Sequence, residues 1–262
     1  AREFFPGTID DTLIRQTITL LRQTLALDPD YASALALLGW AEIAQFWVTD
    51  KEPSRLAAAK EHLERALALA PGLFDAHVGM GYYHYWGRLD YEPALEEFGK
   101  ALALRPNDAD VLFSIGVVER RQGKIEQSIE RLNLAMRLNP RAHLILWNQS
   151  QSLTFVDRYR EKVELAEKAV QMNPASPAAW STLAYAAATA ESSLEAGAKI
   201  LARAEKHVQL SRLLYLRPLM FIYAAFHGND FGKALDSLDV TSTGPDPLSF
   251  VELRYVLAHA AG

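Results

Sequence analysis

Hydrophobic and polar positions follow a helical period along most of this chain. The clearest stretch runs from Asn107 to Pro140, NDADVLFSIGVVERRQGKIEQSIERLNLAMRLNP. In its first half, Leu112, Ile115, Gly116 and Glu119 fall at i, i+3, i+4 and i+7. In its second half, Ile125, Ser128, Ile129, Leu132, Ala135 and Met136 do the same. Each set lies on one face of an α-helix. Gly123, in the intervening Gln122-Gly123-Lys124, takes a left-handed backbone at low cost and ends the first helix. Asp108 is placed to cap that helix through its carboxylate. Pro140 cannot continue the second helix and biases Asn139 out of helical conformation. The small residues Gly116 and Ser128 let the two helices approach closely.

The unit recurs. The prolines that close it are Pro29, Pro71, Pro106, Pro140 and Pro174, spaced by 42, 35, 34 and 34 residues. A fixed period of this size predicts a stacked array, because one hairpin cannot bury its apolar face alone. A lead-in at Ala1–Gly7 carries Phe4 and Phe5. Asp10 or Asp11 then opens a helix to about Ala26 with an apolar stripe of Ile14, Thr17, Ile18, Leu21 and Leu25. It fills the second-helix slot of an incomplete unit. The next unit opens at Asp30–Gln45. Its excess length falls in an expected loop, Phe46–Arg55, whose Phe46, Trp47 and Val48 tuck over the hairpin or serve as contact points. Helices follow at Phe74–Trp86 and Tyr91–Leu104. A fourth unit, His143–Pro174, turns at Asp157-Arg158. The fifth opens on Ser176 as cap and Pro177 at the first helical position, runs to Ala190, and has a second helix from about Leu194 to Val208. A weak sixth unit spans Leu213–Phe226 and Phe231–Leu238. Ser249-Phe250-Val251-Glu252 reads as a capping box for a last helix to about His259.

The unit resembles the tetratricopeptide repeat, a helix–turn–helix of 34 residues. The central copy matches with Leu112, Ile115, Gly116, Leu132, Ala135 and Pro140 and departs at Glu119 and Ser128. The copy before it matches with Met80, Gly81, Tyr91, Ala94, Phe98, Ala101 and Pro106. The first full copy has Leu35, Leu38, Gly39, Ala59, Leu63, Ala66 and Pro71, and the fifth has Trp180, Leu183 and Ala184. In the fourth, Gln149, Ser150 and Lys162 stand where the family places Leu, Gly and Ala. The resemblance implies an all-α, right-handed superhelix of antiparallel helix pairs, a single solenoid over residues 1–262. Residues 1–29 form a partial unit, 30–208 five repeats, and 209–262 a degenerate unit with a capping helix.

Composition narrows the function. Half of the 262 residues are hydrophobic and the formal net charge is −5. With no long run of Lys or Arg to track phosphates, nucleic-acid binding is disfavoured. The absence of cysteine excludes disulfides, thiolate metal sites and cysteine nucleophiles. No signal peptide or membrane span is visible, and the Leu213–Phe226 stretch, interrupted by Arg217 and Pro218, reads as a buried helix. Both cytoplasm and periplasm fit. The start at Ala1 suggests a processed protein or a piece of a longer one.

In the tetratricopeptide family the first helices line the concave surface. Carried over, that surface gathers Trp40, Tyr82, Tyr85, Trp86, Phe113, Val117, Arg120, Arg121, Trp147, Gln151 and Tyr185. Aromatics and arginine are enriched in binding hot spots, so the set is expected to form a peptide-binding groove. The competing expectation is that several of these aromatics pack between helices. The Lys/Asn/Arg clamp with which some relatives hold chaperone C-termini is absent: its positions carry Ala36 and Trp40, Val78 and Tyr82, Phe113 and Val117, Trp147 and Gln151.

Other motifs dissolve in context. His77 and His84 share a face but lack a third ligand, and packing against the partner helix is expected. Glu61-His62 lacks the second histidine of a zinc-protease motif, and Gly79-Met80-Gly81 follows no strand. Asn148-Gln149-Ser150 is a glycosylation triplet in mid-helix. Glu96, Glu97, Glu126 and Glu130 read as a solvated outer face rather than acid–base pairs. No catalytic, metal or cofactor site is expected.

The sequence therefore points to a non-enzymatic interaction scaffold for a protein or peptide partner. Segments such as LDPDYASALALLGWAEI and RRQGKIEQSIERLNLAMRLNP further resemble the repeat region of multidomain bacterial signalling proteins that carry adenylate cyclase, kinase or winged-helix modules. That implies a sensory or regulatory role. Two alternatives stand beside it. One is a self-assembly module, with homodimers formed through the N-terminal helix. The other is a small-molecule or lipid-binding solenoid using Tyr82–Trp86 and Trp147.

Overall fold

The computed structural model describes residues 11–208, apart from 192 and 205. The expected lead-in with Phe4 and Phe5, the sixth unit and the capping helix lie outside the described residues. The described residues are helical, with no strand among them. The chain divides after Leu138 into two compact units.

In the first unit, α1 (Asp11–Leu27) packs on α2 (Ala32–Gln45), and hairpins follow as α2 with α3 (Pro53–Leu69), α4 (Phe74–Tyr82) with α5 (Tyr91–Leu104), and α6 (Ala109–Arg121) with α7 (Ile125–Leu138). The predicted stripe of α1 is the buried one: Ile14, Ile18, Leu21 and Leu25 meet Leu38, Ala41 and Ala44 of α2. Glycines set the approach of each pair. A Cβ at Gly39 would lie 2.6 Å from Leu63 Cγ, and one at Gly81 would lie 2.4 Å from the Phe98 ring. The carboxylate of Asp108 accepts from the amides of Asp110 and Val111, and Gly123 sits at φ +77° between α6 and α7.

Polar pins join these helices. Buried Glu42 accepts from Arg22 of α1 at 3.2 Å and contacts His62 of α3 at 2.8 Å. His77 contacts Glu97 through Nδ1 at 2.7 Å, and its Nε2 lies 2.9 Å from the Pro71 carbonyl. His77 thus packs against the partner helix through a hydrogen bond, and Glu97 belongs to that contact rather than to a solvated face. Glu96, Glu126 and Glu130 are exposed as expected.

Within the longer connection expected around Phe46–Arg55, Pro53 and Ser54 start α3 as expected, but most of the residues before them are helical rather than a loop. Phe46–Asp50 continues α2 as a π-helical turn, in which the Lys51 amide donates to the Phe46 carbonyl five residues back at 3.2 Å. Tyr83–Arg88 extends α4 in the same way. Both turns end on a left-handed residue that is not glycine, Lys51 at φ 53° and Leu89 at φ 55°, a conformation costing about 1 kcal/mol for such side chains.

The second unit holds α8 (His143–Thr154), α9 (Tyr159–Met172), α10 (Pro177–Ala190) and α11 (Leu194–Ala204). Ala166, Val170, Ala179, Trp180, Leu183, Ala186 and Ala204 form its apolar core. Ser176 caps α10 by accepting from the Ala179 amide. Trp180 Nε1 donates to the Pro174 carbonyl at 2.8 Å, the same six-residue link that His77 makes to Pro71. Asp157 takes the turn between α8 and α9 at φ 55°.

Candidate ligand-binding surfaces

In the first unit the structure brings Tyr82, Tyr85 and Trp86 into one aromatic cluster. The Tyr82 ring lies 4.3 Å from Trp86 and meets Phe98 edge-on at 5.2 Å, and Tyr85 lies 6.3 Å from Trp86. All three are buried. Tyr82 Oη and Ser114 Oγ are 2.7 Å apart, and Ser114 Oγ donates its proton to the Asp110 carbonyl at 2.8 Å. A serine has one proton to give, so Tyr82 is the donor of the shared bond. Burial pushes the Tyr82 hydroxyl well above the usual phenol range, which keeps it a neutral donor.

Helical spacing alone did not join Trp47 to this cluster. The π-helical turn swings it onto Trp86, with centroids 5.6 Å apart and 20° between planes. Lys51 covers Trp47 from the left-handed position, its Nζ 3.7 Å from a ring centroid. Burial holds the Lys51 amine below the usual lysine range. Trp47 remains half-buried, as does Trp40 where it packs against the α1–α2 core. On α6, Phe113, Val117 and Arg120 are buried and Arg121 is half-buried.

In the second unit Trp147 of α8 meets Tyr185 of α10, with rings 5.2 Å apart. Trp147 is half-buried, whereas Gln151 and Tyr185 are buried. Lys162 of α9, a departure from the repeat pattern, is fully buried beside them. Its Nζ donates to Thr154 Oγ1 at 2.7 Å and Thr189 Oγ1 at 2.8 Å, and lies 4.3 Å from the Tyr185 ring centroid. In sequence Trp147, Gln151 and Tyr185 stood among the groove candidates, whereas Lys162 stood out solely as a lysine where the repeat places alanine. Among the described residues no group of three or more His, Cys, Asp or Glu side chains is placed to hold a metal ion, and no helix is long and apolar enough to cross a membrane.

Residues 83–143 match the tetratricopeptide repeat family. No curated protein sequence matches the chain. Among solved structures, PilF of Pseudomonas aeruginosa is similar at a TM-score of 0.58 and 20% identity, over 87% of this chain and 97% of that one. A MamA protein is similar at 0.50 and 13%, over 67% and 92%. YrrB, described as a TPR protein with an unusual peptide-binding site, stands at 0.49 and 16%, over 75% and 95%. The fold is an all-α tetratricopeptide solenoid, a class whose stacked repeats present extended surfaces.

Proposed function

We propose that this chain is a non-catalytic scaffold that binds a peptide or protein segment on the aromatic surfaces of its first helices. The observation that carries the reading is the half-buried state of Trp40, Trp47 and Trp147, two of them held against other aromatic rings. An indole fixed from behind offers contact area without losing side-chain freedom on binding. Within the first unit Tyr82, Tyr85, Trp86, Phe113 and Val117 are taken as the backing and Arg121 as a polar contact; within the second unit Tyr185 and Gln151 are taken in the same two roles. The resemblance of the repeat segments to multidomain bacterial signalling proteins supports a regulatory or sensory role. Selection of a displayed random-peptide library on the full chain tests the reading. Enriched sequences that compete with one another for the chain support it, and a selection without enrichment overturns it.

A second reading, self-assembly through α1, is favoured by one specific observation. Leu13, Leu20 and Leu27 are 45%, 62% and 90% exposed and lie seven residues apart along the outer side of α1. With the half-buried Thr17 and Thr24 between them, they follow the alternating three- and four-residue spacing of a helix-pairing seam. Light-scattering mass over a range of concentrations decides. A dimer that Leu20→Glu converts to monomer supports this reading, and a monomer throughout removes it.

A further inference from the structure

The first unit already holds a cation on an aromatic surface. Lys51 Nζ lies 3.7 Å from the Trp47 ring centroid and 5.4 Å from that of Phe46. Trp47 is backed by Trp86 at 5.6 Å and stays half-buried, while Phe46 is buried and Lys51 exposed. Trp47 belongs to the π-helical turn at the end of α2, and Lys51 closes that turn. The indole is therefore fixed, reachable from solvent and electron-rich, the properties that let a ring hold an organic cation on its face.

The chain's own ammonium is a poor occupant of this surface. Lys51 reaches the ring from a left-handed backbone at φ 53°, which disfavours any side chain with a Cβ. Partial burial pushes its amine below the usual lysine range, and no carboxylate among the described side chains offsets that. An ammonium is strongly hydrated, so laying it on a ring strips water that the ring does not replace. A guanidinium is planar and more weakly hydrated, and it stacks flat on an indole. The backbone is pinned, since the Lys51 amide donates to the Phe46 carbonyl at 3.2 Å. Only the lysine side chain has to move for another cation to take its place. The formal net charge of −5 favours the approach of such a group.

We propose that Trp47 and Phe46 form a cation-binding site for an arginine side chain of the partner, with Lys51 as its built-in competitor. The bound guanidinium lies on the Trp47 ring, and the Lys51 side chain swings into solvent. The proposal rests on the peptide-scaffold reading for its partner and names the chemistry that the partner places on Trp47.

The test follows the Trp47 indole N–H by heteronuclear NMR on the full chain, with the signal assigned by its absence in Trp47→Phe. The probes are an acetylated Gly-Arg-Gly amide, the counterpart with neutral citrulline in place of arginine, and the Gly-Lys-Gly counterpart. The arginine peptide is expected to move the Trp47 signal saturably, with the citrulline peptide roughly tenfold weaker and the lysine peptide between them. Lys51→Gly removes the competitor and suits the left-handed position, so it should tighten arginine binding several-fold. Lys51→Arg supplies a better internal occupant and should weaken it. Circular dichroism checks that both variants keep their helices. Equal responses to the arginine and citrulline peptides overturn the site, as do an unmoved Trp47 signal and an arginine affinity that ignores both Lys51 variants. If library-selected peptides bind the chain but their affinities ignore Lys51→Gly and Trp47→Leu, the cation site fails and the scaffold stands. If no library peptide binds while the arginine probe moves Trp47, the scaffold reading fails and the cation site stands.

Discussion

Trp47 lies on Trp86, their rings 5.6 Å apart and 20° from parallel, across thirty-nine positions of sequence. The contact exists because both first helices end in π-helical turns that carry their aromatics outward. The two partners are not equivalent. Trp86 is buried and shares its cluster with Tyr82 and Tyr85, whereas Trp47 is half-buried. Trp86→Ala is expected to cost about 3–5 kcal/mol of unfolding free energy. Trp47→Ala should cost roughly 1–2 kcal/mol, near the value of an aromatic pair plus partial burial. Urea denaturation of the full chain measures both, and equal losses would contradict the assigned order.

Gly81 tests the close helix approach. A methyl group there would meet the Phe98 ring at 2.4 Å, and Phe98 is fully buried. Gly81→Ala should therefore destabilise by roughly 1–3 kcal/mol, although alanine is the better helix former. A double variant with Phe98→Leu should recover part of the loss. Thermal melts of the set check this, and a stabilised Gly81→Ala protein would sink the packing account.

The His77–Glu97 pair sets an acid limit. Burial alone would raise the Glu97 pKa, but hydrogen bonds from His77 and Lys100 outweigh it and hold the carboxyl below the ordinary glutamate value of 4.5. A carboxylate depressed by folding adds stability above its unfolded pKa and loses it as pH falls through the folded value. Denaturation midpoints should therefore drop as pH is lowered beneath 4.5, and Glu97→Gln should flatten that limb while lowering stability at neutral pH. An unchanged acid slope in Glu97→Gln would show that other groups govern it.

Thr189→Val examines the anchoring of Lys162 from α10. The replacement keeps shape but removes the oxygen that accepts from Nζ at 2.8 Å. Leaving a buried donor without one of its acceptors costs roughly 1–3 kcal/mol. Ser181→Ala, on the same helix but bonded only to its own Pro177 carbonyl, should cost less. Chemical denaturation of the two variants compares them.

Helices, turns and repeat unit were legible in sequence because each rests on local chemistry. Gly123 at positive φ, Asp108 as a cap and Ser176-Pro177 at the start of α10 all act within three or four residues. The π-helical turns were not legible. A five-residue widening leaves no periodic trace, and the left-handed stops fall on Lys51 and Leu89 rather than on glycine. The polar pins were hidden for a different reason. His77 and Glu97 are twenty positions apart, and Lys162 and Thr189 twenty-seven, so each pairing emerges only when helices stack. Of the surface candidates, spacing placed Tyr82, Tyr85 and Trp86 together. Their burial matches the competing expectation that several aromatics pack between helices, whereas the burial of Arg120 was not expected, since it depends on neighbouring helices.

The scaffold reading is tested most directly by titrating a library-selected peptide into the full chain and into five variants. Trp40→Ala, Trp47→Ala and Trp147→Ala alter half-buried indoles, whereas Glu126→Ala and Glu130→Ala alter the exposed side of α7. Hot-spot truncation should weaken binding at least about tenfold. The account predicts such a loss in at least one tryptophan variant and none in the glutamate pair. A peptide whose affinity ignores all three tryptophans, or depends on Glu126 and Glu130, would contradict it.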